Sequence, residues 1–138
     1  ATLRALVQSL QRNSSLKSLS VIGGGLYGLF FSSMTSALLV NSTLLELNLQ
    51  IVEGGMWLRP LFVAVRINTS LKSLDVNDFH WTDELVCGAL CDMLAQNSVL
   101  ESLTLHSPES LDETGVVSWA RPSLLFGIMR LLSRLQSP

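Results

Sequence analysis

Four groups of residues in this chain have types and spacings that can do chemistry. Val21-Ile22-Gly23-Gly24-Gly25-Leu26-Tyr27-Gly28 holds a Gly-x-Gly-x-x-Gly pattern between an expected strand and an expected helix. At that spacing glycines let backbone N–H groups approach a pyrophosphate at a helix N-terminus, and an acidic residue further on takes the ribose hydroxyl. Glu46, eighteen residues past Gly28, stands near that place. Asp78, His80, Asp83 and Glu84 are metal-ligand types gathered in one loop. A metal needs several converging ligands, and His80-x-x-Asp83 is weak spacing for it. Cys87 and Cys91 lie four apart, as a redox pair on a helix would. Asn13-Ser14-Ser15, Asn41-Ser42-Thr43 and Asn68-Thr69-Ser70 are formal N-glycosylation sequons.

Each group also has a structural explanation that needs no chemistry. The glycines replace a turn after one strand, and Glu46 falls inside the next strand rather than at its end. Thr82 is expected to cap the following helix, with Asp83 and Glu84 complementing its positive end. The two cysteines, neighbours on a helix but poorly placed for a disulfide, pack as small hydrophobes and remain reduced. The asparagines end helices by taking the left-handed conformation, and the Ser and Thr residues turn the chain into a strand. No Gly-x-Ser-x-Gly element, paired carboxylates or catalytic triad can be assigned. The expectation is therefore no catalytic residue, no metal, no cofactor, and no enzyme.

The elements that position these residues repeat. Asn68-Thr69-Ser70-Leu71-Lys72-Ser73-Leu74-Asp75-Val76 has counterparts beginning at Asn13, Asn41 and Asn97, so the asparagines stand 28, 27 and 29 residues apart. Within each copy Leu-x-x-Leu-x-Leu/Val recurs: Leu16/Leu19/Val21, Leu44/Leu47/Leu49, Leu71/Leu74/Val76 and Leu100/Leu103/Leu105. Alternation over the last residues predicts short strands near 16–21, 44–49, 71–76 and 100–105. Three residues before each asparagine stand Leu10, Leu38, Val65 and Leu94, and seven before stand Leu6, Met34, Leu61 and Leu90. Those spacings share one helical face, so each unit carries a strand edge and a helix stripe that only stacking can bury. The first helix is expected over Ala1–Arg12. After His106 the pattern frays: Ser107–Val117 reads as a loop, and 120–135 as a divergent C-terminal helix with Leu124, Leu125, Ile128, Leu131, Leu132 and Leu135 apolar.

This repeat resembles the leucine-rich repeats of the ribonuclease-inhibitor type, over about residues 1–106. The resemblance implies an α/β fold, a right-handed solenoid forming a horseshoe segment, with short parallel strands on the concave face and helices on the convex face. One departure stands out. The family usually places Asn or Cys eight residues after the first strand leucine, where this chain has Gly24, Val52, Phe79 and Pro108.

Composition narrows the function further. The 138 residues suit one domain, read as a segment of a longer protein. With 48% hydrophobic residues and 14% charged the chain is not disordered, and a net charge of −2 offers nucleic acid no basic patch. The longest apolar runs, around Leu26–Phe31 and Ala37–Val40, are too short to span a membrane. Two reduced cysteines point to an intracellular, cytoplasmic setting, while the sequons leave secretion open.

If the strand leucines point inward, the residues between them point outward and form the candidate binding face. They are Ser18, Ser20 and Ile22; Glu46, Asn48 and Gln50; Ser73, Asp75 and Asn77; and Ser102, Thr104 and His106. The face is polar, mildly acidic and without Lys or Arg, which suits a protein partner offering basic or hydrogen-bonding groups. The expected function is a non-enzymatic protein-interaction module or scaffold. The alternatives are a GTPase activator of the Ran type, a dinucleotide-binding protein using Gly23–Gly28, and a structural spacer. The ends of such an array expose apolar edges, so self-association is a further expectation.

Overall fold

A computed structural model describes residues 2–23, 28–51, 57–80, 82–107 and 116–120. Helices and strands alternate: α1 Thr2–Leu10, β1 Ser18–Gly23, α2 Gly28–Val40, β2 Glu46–Ile51, α3 Leu58–Ile67, β3 Ser73–Val76, α4 Glu84–Gln96, β4 Ser102–His106 and β5 Val116–Ala120. The strands form one sheet in the order β1-β2-β3-β4-β5. The first four are parallel and keep the repeat in register, with Leu19, Leu47, Leu74 and Leu103 side by side.

Strand–helix–strand crossovers between parallel neighbours are right-handed in nearly all proteins, so this strictly sequential order sends every helix to the same side. The side chains agree. Leu47, Leu49, Leu74, Val76, Leu103 and Leu105 are buried, while the residues between them are exposed or half-buried. From the helix side Met34, Leu38, Leu61, Val65, Leu90 and Leu94 complete the core. The first repeat departs from the pattern: Leu6 is 47% exposed, and Leu16 and Leu19 are only partly buried. Among the described residues α1 and β1 have a neighbouring repeat on one flank only, so their leucines have one wall where the later copies have two.

The repeated asparagines work differently from the expected left-handed cap. Asn68 (φ −60°, ψ 138°) and Asn97 (φ −82°, ψ 124°) are both extended, and their side chains stop the helix. In every copy Oδ1 accepts from the N–H groups two and three residues on: Ser15 and Leu16, Thr43 and Leu44, Ser70 and Leu71, Val99 and Leu100. In the last three copies Nδ2 also reaches the preceding repeat. Asn41 donates to the carbonyls of Leu10 and Asn13, Asn68 to those of Leu38 and Asn41, and Asn97 to those of Val65 and Asn68, at 2.6–3.3 Å. The amide thus satisfies two orphan carbonyls at a helix end and two N–H groups at a turn, groups that are costly to bury unpaired. An asparagine ladder does run through the repeats, at the turn into the strand instead of the turn out of it.

Two further expectations need correction. The N-cap of α4 is Asp83, not Thr82: its carboxylate accepts from Val86 N at 3.1 Å and adds a negative charge at the helix's positive end. Val116–Ala120, expected to span the end of a loop and the start of a helix, is instead β5, antiparallel to β4 with Leu103 opposite Trp119. The sequence Val-Val-Ser-Trp-Ala is rich in β-branched and aromatic residues, which suit a strand. The remainder of the expected C-terminal helix lies outside the described residues.

Candidate functional site: the open face of the sheet

A parallel sheet is normally covered on both faces. Here the face away from the helices is lined by the outward positions, and strand pairing arranges them in rows. The first row runs Ser18, Glu46, Ser73, Ser102; the second Ser20, Asn48, Asp75, Thr104. In the third, Ile22 stands opposite Gln50, and Ile22 is 75% exposed. Adjacent members of a row sit about 4.8 Å apart, close enough for side chains to bond across strands.

They do so in nearly every row. Ser18 Oγ donates to Glu46 Oε2 at 3.3 Å, and Ser102 Oγ to Ser73 Oγ at 3.0 Å. Gln50 Nε2 donates to both Asn48 Oδ1 and Asp75 Oδ1 at 2.7 Å. His106 Nε2 lies 2.9 Å from the same Asp75 oxygen. The Asp75 carboxylate on β3 therefore gathers groups from the strands on both sides, and Asn48, Gln50, Asp75 and His106 form one unit. Asn77 is used differently. It follows the end of β3, and its Oδ1 accepts from Ile51 N at 2.9 Å, closing the end of β2.

Sequence reasoning missed one member of this face. Ser118, on β5, stands opposite Thr104, with its Oγ 3.0 Å from Thr104 Oγ1. The alternation of Val117, Ser118 and Trp119 carried the signal, masked by Pro108 and Gly115 just before it.

The other candidate chemistry disperses. Gly23 closes β1 opposite Ile51, whereas Glu46 opens β2 opposite Ser18. Five residues of strand, roughly 16 Å, separate Glu46 from the glycine end, so it cannot serve a ribose held there. Gly24 and Gly25 lie outside the described residues. Asp78, at φ 55° in the left-handed region that Asp tolerates, places Oδ1 3.0 Å from His80 Nε2, while Asp83 is engaged in capping α4. Among the described residues no three His, Cys, Asp or Glu side chains gather as a metal site would require.

Phe79, at the family's usual ladder position, is fully buried, with its ring 6.4 Å from that of Phe62 and its N–H donating to His106 O at 3.1 Å. Gly24, Val52 and Pro108, the corresponding residues of the other copies, are outside the described residues.

Cys87 is buried and Cys91 half-buried, and neither is in a disulfide. Burial, and then the neighbouring Asp92 carboxylate, pushes the Cys91 thiol up, the opposite of what a reactive nucleophile needs. A cleft of about 570 Å³ opens on the helix side between α1 and α2, lined by Gln8, Arg12, Ser32 and Ser36 among others. It is remote from the polar face and holds no acid–base pair. Among the described residues no helix is long and apolar enough to cross a membrane.

Compared with the models of known protein families and with curated proteins, the chain matches none.

Proposed function

We propose that this chain is a leucine-rich-repeat segment of the ribonuclease-inhibitor-like type, a right-handed solenoid that works as a non-enzymatic protein-binding scaffold. The observation that carries the reading is a face of its parallel sheet that no helix among the described residues covers. Polar side chains line it in cross-strand rows, with Glu46 and Asp75 the acidic members and no Lys or Arg among the outward positions. The near-constant period, the register-matched leucines and the asparagine ladder support the repeat architecture. Pre-bonded side chains support the binding role, because they lose little freedom when a partner docks.

An intracellular setting belongs to the same proposal. Neither Cys87 nor Cys91 is in a disulfide, and the amide nitrogens of two sequon asparagines, Asn41 and Asn68, are committed to the ladder. Affinity capture with the purified chain, followed by recapture with Glu46→Lys and Asp75→Lys, tests the proposal. Partners should be lost with the face variants and retained with Ser36→Lys on the helix side. Capture that ignores all three changes removes the sheet face from consideration.

A further inference from the structure

The bonded unit on the open face leaves a characteristic set of atoms unused. Gln50 Nε2 spends both hydrogens, on Asn48 Oδ1 and Asp75 Oδ1. His106 Nε2 engages that same Asp75 oxygen. Among the described residues, Asp75 Oδ2 and Gln50 Oε1 then have no partner. Asp75 and His106 are 33% and 37% exposed, so a docking group can reach them.

Apart from His106, the charged groups around these acceptors have one sign. Glu46, in the row next to Asn48 and Asp75, adds a second carboxylate, half-engaged by Ser18. The closest cation along β3, Lys72, sits before the strand with its Nζ 3.7 Å from Glu101. A surface made of fixed acceptors and net negative charge is complementary to a cation rich in donors.

Ammonium and guanidinium groups are not equivalent here. The unused acceptors belong to two different side chains, pinned together because Gln50 is bonded to the other oxygen of the same carboxylate. A planar fork with several N–H groups can span such a pair, and it is more easily stripped of water than a compact ammonium.

We propose, resting on the protein-binding reading above, that the open face recognises an arginine side chain of its protein partner, with the guanidinium bridging Asp75 Oδ2 and Gln50 Oε1.

The test is a random-peptide display library panned against the whole purified chain, with enriched peptides resynthesised carrying each Arg replaced by Lys or by citrulline. Titration calorimetry reads their affinity for the unaltered chain, for Asp75→Asn and for Gln50→Leu, with thermal melts confirming that each variant is folded. The enriched peptides should contain arginine, and Arg→Lys should weaken binding by about tenfold. Citrulline should weaken it further, and Asp75→Asn should erase the difference between Arg and Lys. If Asp75→Asn proves unstable, Gln50→Leu reports the same loss of the bridging acceptor.

Peptides that bind this face without arginine, or with Lys equally good, overturn the arginine assignment and leave the protein-binding reading standing. So does spermine binding the face more tightly than any arginine peptide. Self-association of the chain that competes with the peptides and vanishes in Asp75→Asn replaces the separate partner with a second copy. Binding that neither Glu46→Lys nor Asp75→Asn alters, or a library yielding no binder, overturns both.

Discussion

The side-chain amide of Asn68 donates to the backbone carbonyl of Asn41, 27 residues earlier, at 3.0 Å. The same nitrogen donates to Leu38 O at 2.8 Å, while its Oδ1 accepts from the N–H groups of Ser70 and Leu71. One buried amide thus ties a helix end, a turn and the neighbouring repeat together. Asn68→Ala should cost roughly 2–4 kcal/mol, since it leaves several buried backbone groups unpaired. Asn13→Ala should cost under about 1 kcal/mol, because the Asn13 bonds are exposed. Urea melts of the two variants check the difference, and equal losses would mean that the ladder contributes little.

A second prediction concerns the sequons. In Asn41 and Asn68 the nitrogen that would carry a glycan has both hydrogens committed to carbonyls in the preceding repeat, and both residues are buried. Expressed through a secretory pathway, the folded monomer should carry no glycan at either position. Intact-mass and peptide mapping of the folded fraction checks this, and a native-like species glycosylated at Asn68 contradicts the ladder.

The thiols should react unequally. Cys87 is fully buried, and the Cys91 thiol is pushed up first by burial and then by the Asp92 carboxylate, so its thiolate is scarcer at neutral pH than that of an open cysteine. Iodoacetamide should modify Cys91 slowly, faster as pH rises, and leave Cys87 untouched until denaturant is added. Asp92→Asn should quicken Cys91, because the carboxylate disfavours the thiolate. A rate at Cys91 equal to that of free cysteine at neutral pH would contradict this environment.

Self-association should run through β1. Among the described residues β1 pairs only with β2 and β5 only with β4, and Ile22 beside the β1 edge is 75% exposed. Unpaired edges with apolar neighbours template further pairing, and a charge blocks it. Sedimentation should show concentration-dependent association that Ile22→Lys suppresses. A clean monomer at high concentration contradicts an adhesive edge.

What the sequence disclosed follows from period. Leu and Val at fixed places in each copy made strand facing legible, because a slip of one residue would turn every leucine outward. The strands start two residues later than expected, after Leu16, Leu44, Leu71 and Leu100. The outward set followed by elimination, and its members lie on the strands except Asn77, which follows the end of β3 and bonds Ile51 N instead. Three things were not legible. The role of the asparagines depends on carbonyls one repeat away, a partner that no local propensity reveals. Strand β5 breaks the repeat by running antiparallel, so no copy pointed to it. The convergence of Gln50 and His106 on one oxygen of Asp75 depends on rotamers across three strands, although the residue types announced a polar face.

The open face as a binding surface is tested most directly by titration calorimetry of a captured protein partner against the unaltered chain and a Glu46→Lys/Asp75→Lys double variant of matched thermal stability. At least about a hundredfold loss of affinity, roughly 2.7 kcal/mol, is the predicted result. Unchanged affinity would contradict the account, placing the contact on the helices or the sheet edge.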